Sequence, residues 1–189
     1  ATTSLATLSL AVFGVPAVGV LLPTSAMAAN ECGSVVNGTN GSGDVVSCGN
    51  QTAQNSGITY SQNGSQTDAF TLVLNGTQVQ QGVKITNSSN AGGTVEFQTN
   101  AVPSAPPVSI TNGKSFNGDA AVDINTAGTN AAVTILHNSG SITGGGGTLG
   151  FHDGIQVRTS GSNAPISVST GQGTSVSATT GSGIKLRAT

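Results

Sequence analysis

From Thr71 to Leu186 one short pattern keeps returning: an apolar residue, a residue of any kind, a second apolar residue, then a polar turn. It reads Leu72-Val73-Leu74, Val83-Lys84-Ile85, Val95-Glu96-Phe97, Val108-Ser109-Ile110 and Val122-Asp123-Ile124, and continues as Val133-Thr134-Ile135, Ile155-Gln156-Val157, Ile166-Ser167-Val168 and Ile184-Lys185-Leu186. Alternation of this kind marks a strand with one buried face. Lys84, Glu96, Asp123, Gln156 and Lys185 stand in the middle of their triplets. A pleated strand sends successive side chains to opposite sides, so each apolar pair is expected to face a core and each middle residue to face water.

The second apolar residues from Leu74 to Ile135 are separated by 11, 12, 13, 14 and 11 residues. Within three residues of each comes an asparagine: Asn75, Asn87, Asn100, Asn112, Asn125 and Asn138. Asparagine tolerates left-handed backbone and bonds its own backbone in turns, so turns are expected there. One strand plus one turn at near-constant spacing is the sequence form of a solenoid. The expected class is all-β, a coil of short strands around a narrow apolar centre. With ~20 residues per full turn it would hold roughly seven or eight rungs.

Composition bears on how such a chain finds a core. It holds 28 Gly, 6% charged and 3% aromatic residues and no Trp, yet 35% of it is hydrophobic. A large globular core is hard to assemble from this. A solenoid avoids the need, because each rung buries only a few side chains against its neighbours. Glycine and β-branched residues also disfavour helix. The net charge is −2, and the five basic residues, Lys84, Lys114, Arg158, Lys185 and Arg187, are dispersed along the sequence. A nucleic-acid surface needs clustered Lys and Arg, so no nucleic-acid partner is expected.

The sequence divides into three parts. Residues 1–28 read as a signal peptide, expected to be helical: Leu5 to Leu22 is an uncharged apolar run, and Ala26-Met27-Ala28 fits the small-x-small rule, which places cleavage between Ala28 and Ala29. The competing reading, a membrane helix, is weakened by Gly14, Pro16 and Gly19. Residues 29–70 form a cysteine-containing cap and a first rung, with Gly43 to Ser47 strand-like and Ile58 and Tyr60 as an alternating pair. Cys32 and Cys48, in an exported chain, form a candidate disulfide that pins this end. A metal or redox pair would need a CxxC spacing or a partner histidine. Residues 71–189 carry the repeats, interrupted by the proline-rich stretch Ala101 to Pro107, expected to leave the coil, and by Gly144 to Gly147. The repeats stop at Thr189 without a capping element, so the chain is expected to be cut short there.

Candidate chemistry is sparse. Gly145 to Gly150 matches GxGxxG, but a strand follows where a dinucleotide site requires a helix. His137 and His152-Asp153 are expected at surface turns. Asp119 and Asp123, four apart on a strand, are separated by about 13 Å, too far for the ~5–9.5 Å carboxylate pairs of glycoside hydrolysis. Glu96 or Asp153 would meet other acids only through matching registers of neighbouring rungs. No calcium nonapeptide or EF loop occurs. No catalytic residue, cofactor or metal is assigned.

The cysteine-bearing ECGSVVNGTNGSGDVVSCGN, followed by TLVLNG, VKITN, VSITNG, GSIT, DGIQVRT and GSGIKLRAT, resembles the passenger region of Gram-negative autotransporters, the type V secretion proteins, over roughly residues 30–189. The resemblance implies a right-handed parallel β-helix, carried through the inner membrane to the cell surface or beyond by a C-terminal outer-membrane β-barrel of the same polypeptide. That barrel, with its alternating spanning strands, is not in this sequence. The expected function is an adhesin or structural stalk whose partners are host-surface glycans or proteins, or sister copies. The alternative is a secreted β-helix enzyme acting on polysaccharides.

Overall fold

The computed structural model describes residues 32, 44–49, 57–62, 69–87, 93–100, 106–112, 120–145 and 152–189. The signal-peptide segment and its cleavage point between Ala28 and Ala29 lie outside them. So do Lys114, Asp119 and most of the proline-rich stretch, of which Pro106 and Pro107 are seen exposed and outside any strand.

The described residues form an all-β structure without helix. In chain order the strands are β1 (Asp44–Cys48), β2 (Ile58–Gln62), β3 (Phe70–Asn75), β4 (Gln78–Val79) and β5 (Val83–Asn87). Then come β6 (Val95–Asn100), β7 (Ser109–Thr111), β8 (Val122–Ala127), β9 (Val133–His137) and β10 (Ser141–Gly144). The last are β11 (Ile155–Ser160), β12 (Ile166–Thr170), β13 (Ser175–Ala178) and β14 (Ile184–Ala188). They build three sheets: sheet I in the order β1-β3-β6-β9-β12, sheet II in the order β4-β7-β10-β13, and sheet III in the order β2-β5-β8-β11-β14. Every pairing between these strands is parallel.

From β3 onward the chain visits sheets I, II and III in fixed rotation, and each strand pairs with its counterpart one circuit later. Val95 stands 25 residues after its partner Phe70, Val133 38 after Val95, and Ile166 33 after Val133. The expected ~20 residues per turn is therefore too short. The steps of 11 to 14 residues measured passage between sheets, not full circuits. Among the described residues sheets I and III each hold five strands, where seven or eight rungs were expected.

The registers turn the apolar alternation into columns. In sheet I, Val46, Leu72, Phe97, Ile135 and Val168 stack. In sheet III, Ile58, Val83, Val122, Ile155 and Ile184 stack beside Tyr60, Ile85, Ile124, Val157 and Leu186. Sheet II adds one column only: Val79, Ile110, Ile142 and Val176. The buried members of all three sheets merge into one cluster. Full burial of a side chain such as Leu72 or Ile155 is worth about 1.5–3 kcal/mol. Two expected core residues depart from this. Ile184 and Leu186 are 41% and 47% exposed, because β14 is an edge strand with no further strand stacked over it.

One further expectation fails. The six asparagines after the apolar pairs do not adopt left-handed backbone; among described non-glycine residues only Asn130 and Asn163 do, with φ of 62° and 57°. Asn75 and Asn100 instead end strands and pair directly with each other. The left-handed pair occupies equivalent turns, Gly128-Thr129-Asn130 and Gly161-Ser162-Asn163, tied by the Asn130 N–H donating to the Ser162 carbonyl at 2.9 Å. At the start of the chain Cys32 and Cys48 are joined in a disulfide with a Cα–Cα distance of 4.8 Å. Tyr60 hydrogen-bonds the Cys32 backbone, and burial pushes its phenol up to about 12. Its ring lies 5.3 Å from that of Phe70.

Candidate functional site

Sheet III gathers the charge that the sequence scatters. Lys84, Arg158, Lys185 and Arg187 all stand on it, at positions alternating with its core residues. Register sets two columns side by side: Lys84, Asp123, Gln156 and Lys185 in one, Thr86, Asn125, Arg158 and Arg187 in the other. Dispersion along the chain is thus no guide to dispersion in space. Parallel in-register stacking brings together residues separated by a whole circuit.

The middle residues of the triplets were expected to face water. Lys185 does, and Lys84 and Glu96 are partly exposed, but Asp123 is 1% and Gln156 8% exposed. A buried carboxylate requires partners, and Asp123 has them. Asn125 Nδ2 donates to Asp123 Oδ1 at 3.2 Å, and the Arg158 guanidinium lies 3.7 Å from the same oxygen. Arg158 also donates to Gln156 Oε1. Gln156 Nε2 donates to Asp153 Oδ2 at 3.3 Å, and Lys185 Nζ lies 3.4 Å from that oxygen.

Asp153 is fixed from the backbone as well. The Ser182 N–H donates to its Oδ1 at 2.7 Å. Gly154 follows it, where a Cβ would come within 2.5 Å of the Gly183 carbonyl oxygen and 2.7 Å of that of Ser177. Only glycine lets the chain pass so close before β11, and that passage aims Asp153 at the next circuit. Register thus brings Asp153 into the hydrogen-bonded network of Asp123, as neighbouring rungs can. Glu96 stays on sheet I, beside Thr71 and Thr134.

A cleft of about 350 Å³ crosses the C-terminal ends of β5, β8, β11 and β14. It therefore runs along the stacking direction over three inter-strand steps, or about 14 Å. Arg158 and Arg187 supply its charge, and Thr86, Asn125, Ser160 and Thr189 supply polar groups. Thr159 also lines it. Thr159 is buried, and its Oγ1 has no hydrogen-bond partner among the described residues. Arg187 is exposed and makes no ion pair among the described residues, whereas Arg158 is half-engaged by Asp123. A second hollow, over the turns leading into sheet II and floored by Pro107, Ser109, Ser139 and Thr174, carries no charged side chain.

Both histidines were expected at the surface, and both are buried. His137 ends β9 in the one sheet I column that turns polar midway: Cys48, Leu74, Thr99, His137 and Thr170. Its Nε2 lies 3.2 Å from the Ser175 carbonyl oxygen, which can only accept, so Nε2 carries the proton. Nδ1 then accepts from Thr99 Oγ1 at 2.9 Å. The same hydroxyl accepts the N–H groups of Asn138 and Ser139 at 3.1 and 3.2 Å. Burial holds the imidazole below its usual range, partly opposed by hydrogen bonds to the Ser175 and Gly140 backbone. His137 therefore ties the corner between sheets I and II. Among the described residues no group of three or more His, Cys, Asp or Glu is arranged to hold a metal ion.

No family model, no curated protein and no solved structure matches this chain.

Proposed function

We propose that this chain is a segment of an exported right-handed parallel β-helix that works as an adhesin or stalk at the cell surface, in the manner of an autotransporter passenger. One observation carries the reading: three parallel sheets visited in fixed rotation, each strand in register with its counterpart one circuit later. Such stacking makes a stiff rod whose length grows with circuit number. Its outer faces are rich in Thr, Ser, Asn and Gln, with the charged columns on sheet III, and suit hydrogen-bonding partners. The unpaired edges of β12, β13 and β14 offer sites for association with further strands.

The test uses cells that make and export the protein containing this chain. Deleting residues 71–187 is expected to abolish attachment to host cells or cell–cell aggregation while surface delivery, followed by an antibody tag, persists. Attachment and aggregation unchanged in the deletion strain would refute the reading.

A second reading, a polysaccharide-cleaving enzyme, draws support from the shared network of Asp123 and Asp153. Both carboxylates are already engaged by cations and hydrogen-bond donors, which favours binding over proton transfer. Depolymerisation of an acidic polysaccharide, lost in Asp123→Asn and Asp153→Asn, would reverse that preference.

A further inference from the structure

We propose that the cleft across the ends of β5, β8, β11 and β14 binds an acidic saccharide, with Arg158 and Arg187 taking its carboxylate or sulfate groups. The inference rests on the reading of the chain as a binding protein and names the ligand class. Three observations converge on it.

The first is the pairing of the arginines. Arg158 and Arg187 are direct register partners on adjacent strands, so their backbones lie about 4.8 Å apart. Two planar guanidinium forks at that spacing suit one anion held from two sides, or acidic groups on successive sugars. Arginine's fork matches carboxylate and sulfate geometry.

The second is the uneven neutralisation of the charge. Asp123, buried below Arg158, fixes that guanidinium while spending only part of its hydrogen-bonding capacity. Asp153 holds Lys185 away to the other column. Arg187 is left with no ion pair among the described residues. The site is thus pre-shaped and carries net positive charge in a chain whose overall charge is −2.

The third is the rest of the wall. Thr86, Asn125, Ser160 and Thr189 set hydroxyl and amide groups among methyl and methylene surface, and no aromatic side chain lines the cleft. That mixture suits the hydroxyls and C–H faces of a sugar ring. The direction of the cleft, along the stack, suits a linear chain of sugars.

The experiment is isothermal titration of the full 189-residue chain with short oligogalacturonates, with a sulfated dextran fragment, and with neutral dextran. Binding of either acidic probe and not of neutral dextran supports the site, and the preferred probe identifies carboxylate or sulfate as the group read. Arg187→Gln is expected to weaken binding about ten- to a hundred-fold, the loss of a charge-assisted pair. Arg187→Lys, which keeps charge but loses the fork, should fall between. Lys84→Gln, on the same sheet but outside the cleft, should stay within about two-fold. No binding of either acidic probe, equal binding of neutral dextran, or binding indifferent to Arg187→Gln would overturn the proposal. Because the titration needs no export, a displayed chain that ignores acidic saccharides refutes this inference alone. A chain that binds them but never reaches the surface refutes the adhesin reading alone.

Discussion

His137 shows how far one buried side chain can depart from its sequence context. It follows Ile135-Leu136 and precedes Asn-Ser-Gly, which reads as a strand running out into a surface turn. What the sequence does not display is the neighbour one circuit earlier, Thr99, whose hydroxyl the imidazole accepts. Nor does it display the carbonyl of Ser175, one circuit and one sheet further on. Because burial depresses its folded pKa, the unfolded chain takes up a proton first as pH falls. The contribution of His137 is complete above the unfolded value near 6.5 and is lost as pH drops from there toward the depressed folded value. Denaturant unfolding at a series of pH values should show this as a slope of up to about 1.4 kcal/mol per pH unit below that point. His137→Leu should flatten the slope, and an unchanged slope in the variant would assign the pH dependence elsewhere. Asp123 teaches the same lesson for charge. Alternation placed it in the outward column, and its burial comes from neighbours that alternation does not show, among them its register partner Gln156 and the side chains of Asn125 and Arg158.

Among elements, legibility followed the number of inward side chains. Strands of sheets I and III send two or three apolar residues inward, and eight of the nine apolar-x-apolar triplets lie wholly within them, the exception being Val108 just before β7. The sheet II strands β4, β10 and β13 send in one apolar residue each, Val79, Ile142 and Val176, so no alternation marks them. Missing them is what shortened the expected circuit and inflated the rung count. The cysteines were legible for a different reason, compartment and spacing, and their disulfide anchors β1, the edge strand of sheet I. Opening it frees a loop of about 15 residues, a loss of about 3 kcal/mol in the chain-entropy model. Under reducing conditions, or in a Cys32→Ser, Cys48→Ser double variant, hydrogen exchange should accelerate first at the β1 amides. It should leave β8 and β11 protected. Uniform acceleration throughout would mean that the bridge secures the whole stack rather than its end.

At the scale of the whole molecule, stability is graded along the stack. Ile155 and Ile184 occupy the same column, one circuit apart, yet Ile155 is fully covered and Ile184 is not. Ile155→Ala should cost about 2–5 kcal/mol, and Ile184→Ala, in the 189-residue chain, no more than about 0.5–1 kcal/mol, as read from urea midpoints. Equal costs would show that the edge circuit is buried in solution, by a second copy for instance. Sequence periodicity foretold the stack but not this gradient, because burial depends on what lies above and below a rung rather than on the rung itself. The fixed rotation through three sheets also governs how the molecule answers tension. A pull on its ends loads the outermost circuit first, since that circuit is bonded to one neighbour only. Once detached, a circuit such as the one from Val133 to Ile166, 33 residues long, straightens to about 110 Å, while the remaining rod shortens by only about 4.8 Å. Under drag, then, the protein elongates in discrete jumps of more than twenty times its rise per circuit, yielding slack before anything it holds is torn away.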